Sequence, residues 1–120
     1  SHAVRAGDWV TCAGQIPLDP ATGELVAGDI AAQTERVMEN VAAVLAHADM
    51  TFSDVVKTTV FLVDLADFAA MNEVYGPAFS APYPARSTIA AGLTSGTITI
   101  PIVGDTTFES TETFSACAVR

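Results

Sequence analysis

Residues Thr51–Ser80 read "TFSDVVKTTVFLVDLADFAAMNEVYGPAFS", and the period of this stretch changes halfway along. Thr51–Asp64 is dense in β-branched residues, whose stiff side chains suit a pleated surface, and reads as a central strand. Asp64 and Asp67 then start a helix over Leu65–Ser80. Its Leu65, Phe68, Met71 (or Asn72) and Tyr75 recur at helical spacing, and Gly76-Pro77 weakens its end. "APYPARSTIAAG" follows, a proline-stiffened approach to a further strand at Arg86–Ala91.

Working outward, "DWVTCAGQIP" (Asp8–Pro17) reads as a buried strand with a glycine at its end. Leu18–Leu25 carries turn chemistry at Asp19-Pro20 and Thr22-Gly23. Asp29 is an N-cap for a helix reaching about Ala48, with Ile30, Val37, Val41, Val44 and Leu45 along one apolar face. Gln33, Glu35, Arg36, Glu39 and Asn40 fall largely off that face. The C-terminal stretch offers two more strands, Thr97–Val103 and Thr106–Val119, joined by Gly104-Asp105. The order strand, turn, helix, strand, helix and three strands predicts an α+β domain with two helices packed on one face of a mixed sheet.

At 120 residues the chain forms one domain, long enough to bury a core without staples. Half of its residues are hydrophobic and 16% are charged, so it is a folded globular unit. Fourteen acids against five bases leave a net charge of −9, which argues against a nucleic-acid partner: no basic stripe exists to meet phosphates. No apolar run is long enough to span a membrane, and no signal peptide opens the chain. Cys12 and Cys117 sit in separate apolar runs and read as two buried thiols in a reducing, cytoplasmic setting. His2 and His47 have no metal-ligand spacing, so no metal site is expected. The chain opens with "SHAVRAGDWV", almost inside a strand.

No nucleophile elbow, phosphate loop or metalloprotease motif is present. The candidate is Arg86, at the start of an apolar strand behind two prolines. A guanidinium there can hold a planar carboxylate with two parallel hydrogen bonds. A structural ion pair with one of the many acids is the alternative.

"CAGQIPLDPATGEL", "VVKTTVFLVDLADFAAMNEVY" and "YPARSTIA" strongly resemble the Rid family, the YjgF-like reactive-intermediate deaminases, over Ser1–Leu93, and the closing "ACAVR" resembles that family's last strand. The resemblance implies a chorismate-mutase-like α+β fold and a homotrimer with clefts between subunits. It also implies hydrolysis of 2-imino acids to 2-keto acids and ammonia, without metal or organic cofactor. The implied partners are small 2-imino or 2-keto acid carboxylates. Arg86 matches the arginine that clamps the substrate carboxylate, Asn72 a cleft asparagine, and Gly14 the glycine of the strand-end motif. Thr88 stands where many members have a cysteine, a place whose backbone positions substrate and water. An ordinary helix-surface or strand role stays open for Asn72 and Thr88. Ala13 replaces a serine of the active deaminases. A cleft tyrosine of the family would directly precede Ser1, so the resemblance implies that it and the first strand are missing here.

The same resemblance implies a glutamate as acid/base on the last strand, and counting seven back from Arg120 reaches Thr113 instead. Glu112 is adjacent, but a one-residue shift turns it to the other sheet face unless a bulge intervenes. Activity is therefore expected to be weakened or lost. Residues 94–115 make the chain longer than the family's usual turn, and "GTITIPIVGDTTFESTETFS" resembles a Calx-β repeat hairpin. Asp105, Glu109 and Glu112 alone should not make a calcium site. Two unlike signatures in one strand suggest a chimera, engineered or recombined, with no catalytic function required of it. Natural divergence with an inserted hairpin is the competing account. Thr97–Val103 is expected to fill the sheet edge left by the missing strand.

Overall fold

The computed structural model describes residues 1–91 and the backbone of Ala118 and Val119. It begins with a hairpin of β1 (Ala3–Ala6) and β2 (Trp9–Cys12), paired antiparallel from Ala3 opposite Cys12 to Ala6 opposite Trp9. Gly7 occupies the two-residue turn with φ of 62°, a conformation that side-chain-bearing residues rarely adopt. β1 is absent from the expected order. The predicted strand Asp8–Pro17 shrinks to Trp9–Cys12, where only Val10 is fully buried and Trp9 and Thr11 face outward. Cys12 is half-buried rather than buried. β5 (Ala118–Val119) joins the other edge of β2, with Thr11 opposite Ala118.

The Leu18–Leu25 turn closes as its residues predict. Leu18 and Leu25 form an antiparallel bridge, and the Asp19 carboxylate accepts from the Ala21 N–H. Helix α1 (Ile30–His47) starts where Asp29 accepts from the Ala32 N–H at 3.0 Å. The role of Asn40 is structural, since its Nδ2 donates to the carbonyls of Ile16 at 3.1 Å and Leu18 at 2.9 Å. It thereby fastens the loop after β2 to the helix.

The predicted strand Thr51–Asp64 is also shorter. Thr51 and Asp54 form a reciprocal capping box on a 3₁₀ turn, Phe52–Asp54. The strand proper, β3, is Lys57–Leu62. The predicted helix Leu65–Ser80 divides into α2 (Phe68–Tyr75) between two 3₁₀ turns, Leu65–Asp67 and Gly76–Ala78. Asp64 caps the first by accepting from the Ala66 N–H. Pro77 cannot donate the hydrogen bond that continued α-helix would require. β4 (Ala85–Ala90) then lies parallel to β3, six residues in register from Lys57 opposite Ala85 to Leu62 opposite Ala90.

The described strands thus form an antiparallel sheet, β1-β2-β5, and a parallel one, β3-β4. Leu45, Val10 and Val55 make one core cluster beneath α1. Leu62, Met71 and Tyr75 make another between α2, β3 and the start of α1. Phe79 packs against both, its ring edge-on to Phe52 at 5.2 Å and tilted against Tyr75 at 4.7 Å. No helix among the described residues is long and apolar enough to cross a membrane. The expected strands Thr97–Val103 and Thr106–Val119, Thr113, Glu112 and Cys117 lie outside the described residues, save the two-residue β5.

Leu45 is 1% exposed at the centre of its cluster. Leu45→Ala is expected to lower unfolding free energy by about 2–5 kcal/mol, measured by urea denaturation.

Candidate functional site

Period-two alternation gives β3 and β4 one face toward α2, carrying Thr58, Val60 and Leu62 opposite Arg86, Thr88 and Ala90. Arg86 is therefore directed under the helix. On α2, Phe68, Asn72 and Tyr75 are spaced by four and three residues and form one row. Arg86 Nη1 donates to Asn72 Oδ1 at 2.6 Å. Its Cζ lies over the Phe68 ring at 5.0 Å from the centroid and over the Tyr75 ring at 4.8 Å. Tyr75 is fixed in turn, its hydroxyl hydrogen-bonded to Thr58 Oγ1 at 2.7 Å.

The alternative for Arg86 was an ion pair. Among the described residues Arg86 has no carboxylate partner; the pair found there is Arg36–Glu39, on α1. Among the described residues one of the five N–H groups of Arg86 is engaged, by Asn72. Beside it opens a cleft of about 250 Å³, lined by Asn72, Tyr75, Gly76, Phe79, Tyr83, Pro84 and Arg86. A cation with apolar and aromatic walls suits a small anion that carries an apolar group.

The other two candidates lie elsewhere. Thr88 shares the strand face with Arg86, half-buried and opposite Val60, but does not line that cleft. Gly14 lines a separate, larger cavity of about 880 Å³ between the β1–β2 hairpin, the loop after β2 and the second half of α1, with His2, Arg5, Asn40 and His47. The structure therefore unites Arg86 with Asn72 and keeps Gly14 apart from both. Residue reasoning marked Phe68 and Tyr75 only as the apolar face of a helix. Their place beside a polar Asn72, in a row that meets an arginine strand, was the signal for them. Among the described residues no three His, Cys, Asp or Glu side chains gather in a way that could hold a metal ion. Lys57 and Ser87, bonded at 2.6 Å, belong to the opposite sheet face.

A family model described as Endoribonuclease L-PSP matches residues 1–104, which carries the likeness beyond Leu93. Protein DfrA of Myxococcus xanthus is 58% identical over 86 residues, 72% of this chain and 66% of that protein. The chain thus spans just under two thirds of that relative's length. Reactive Intermediate Deaminase A, chloroplastic, of Arabidopsis thaliana is 44% identical over 88 residues, 73% of this chain and 47% of that protein. Among solved structures, E. coli TdcF with bound serine superposes with a TM-score of 0.70 at 42% identity, covering 78% of this chain and 76% of the other.

The Thr58–Tyr75 bond ties the helix row to the sheet. Tyr75→Phe is expected to cost about 0.5–1.5 kcal/mol in urea denaturation, because the Thr58 hydroxyl loses a part-buried partner.

Proposed function

The chain belongs to the Endoribonuclease L-PSP family, and from that membership we propose that it is a Rid-type scaffold for hydrolysing 2-imino acids to 2-keto acids and ammonia. The observation that carries this reading is Arg86: a guanidinium held in a small apolar-walled cleft, with free N–H groups and no carboxylate partner among the described residues. A relative named as a deaminase and a similar structure with bound serine, an α-carboxylate, point the same way. The family description names a ribonuclease. However, fourteen acids against five bases would repel an RNA backbone, whereas a small monoanion needs one well-placed cation.

In the proposed reaction Arg86 holds the substrate carboxylate and Asn72 holds Arg86. Water adds to the C=N carbon and its protons pass to nitrogen. The C–N bond then breaks, and ammonia leaves behind a 2-keto acid. Thr88 lies outside the Arg86 cleft but two residues along the same strand face, and in this reading its backbone positions the far end of the substrate and the water. Gly14, lining a cavity apart from Arg86, serves the cleft of a neighbouring copy, so the complete site forms between subunits of a homotrimer. The sheet face turned away from the helices fits burial in such an assembly, because Phe61 is 60% exposed there and Val63, just past the end of β3, is 90% exposed. No metal or organic cofactor enters this scheme.

A second reading rests on Ala13 and Thr113, which stand where the resemblance implies a serine and the acid/base glutamate. Loss of the acid/base would lower the rate about 10²–10⁴-fold, leaving a scaffold that binds small carboxylates with little turnover. The family match runs through residue 104, past residue 94 where a graft would begin, and lends no support to the Calx-β likeness or to a chimera.

A coupled assay on 2-iminopropanoate, with Arg86→Ala alongside, decides between these readings. Hydrolysis above the uncatalysed rate, abolished in the variant, is the expected outcome. Equal rates at the uncatalysed level would eliminate the enzyme reading. Light scattering should give three times the chain mass; a monomer would remove the intersubunit site.

A further inference from the structure

We propose that Phe68 and Tyr75 are positioning residues that hold the Arg86 guanidinium by its faces, so that the site accepts only a flat anion lying in the guanidinium plane. This rests on the reading of Arg86 as a carboxylate clamp and adds the device that orients it.

The geometry of α2 carries the argument. Phe68 and Tyr75 are seven residues apart, close to two turns of helix, so they stand one beyond the other on the same face. One Cζ lies over both rings, at 5.0 and 4.8 Å from their centroids, as it does when the guanidinium sits between them. Asn72, between them in the row, accepts from Nη1 and sets the rotation within the plane. Ring faces attract a cation above or below them, and the remaining donors stay in the plane between the rings. A carboxylate can satisfy two of those donors there, whereas a tetrahedral phosphate or sulfate cannot keep all its oxygens in that plane.

Tyr75 is itself fixed, and Phe68 is the more open of the two. Tyr75 is 9% exposed, tied to Thr58 and packed on Phe79. Phe68 is 38% exposed at the N-terminus of α2, so it can be altered with little harm to the core. Lysine at position 86 would keep the charge but have no plane to stack, and so would not replace arginine.

The test uses the whole chain, with pyruvate as probe and inorganic phosphate as competitor, followed by NMR of the Arg86 Nε–H group. In the parent chain this resonance should be ordered and shifted upfield by ring currents, and pyruvate should bind in preference to phosphate. Phe68→Leu is expected to remove much of that shift and weaken pyruvate about 3- to 30-fold, and Phe68→Tyr to restore both. Arg86→Lys should bind pyruvate no better than Arg86→Ala. An Arg86 resonance and pyruvate affinity unchanged in Phe68→Leu would overturn the positioning role, as would phosphate binding as well as pyruvate. Should the parent chain bind neither anion, the carboxylate-clamp reading falls, and the Arg86 resonance in Phe68→Leu still decides whether the rings hold the guanidinium.

Discussion

The parallel register of β3 and β4 is the constraint on which the site depends. Setting Thr58 opposite Arg86 puts both side chains on the face beneath α2. A slip of one residue would bring Ala85 or Ser87 to that place and turn Arg86 to the opposite face. Parallel strands need a crossover between them, and α2 with its flanking 3₁₀ turns is that crossover. The segment that makes the pairing possible therefore also supplies Phe68, Asn72 and Tyr75 to the arginine it covers.

Polar residues within this small fold act mainly as fasteners. Asn40 pins the loop after β2 to α1 through two carbonyls, and Arg5 donates to the Ala48 carbonyl at the end of that helix. Thr58 and Tyr75 join sheet to helix in the other half. Each uses hydrogen bonds where apolar contact alone would leave backbone or hydroxyl groups unmatched. Arg86 differs in that, among the described residues, one side-chain acceptor, Asn72, meets its five donors.

Much of this was legible from residues. Asp29 as N-cap, the Val41–Leu45 face, the weak point at Gly76-Pro77 and the α+β class follow from local chemistry that the tertiary structure leaves in force. The misses have physical reasons. Thr51–Asp54 continues a β-branched run, yet its threonine and aspartate compete for backbone N–H groups and wind a 3₁₀ turn instead. β1 is short, half of it alanine, and shows little alternation, so its pairing is set by the Gly7 turn and by β2. At the site, Arg86 was legible from its place behind two prolines at the start of an apolar strand and Asn72 only by resemblance, but nothing local shows that Asn72 bonds to Arg86. Gly14 came from the same resemblance and lies apart, because one chain brings together only the residues its own topology makes neighbours.

Phe79 has a consequence for the behaviour of the whole chain. It packs on both core clusters, touching Phe52 on one side and Tyr75 on the other. Neither cluster can open without exposing a ring that the other also needs. The hairpin half and the arginine half therefore share one cooperative transition: heating or denaturant releases them together, and the arginine cleft persists for as long as the distant β1–β2 hairpin stays folded.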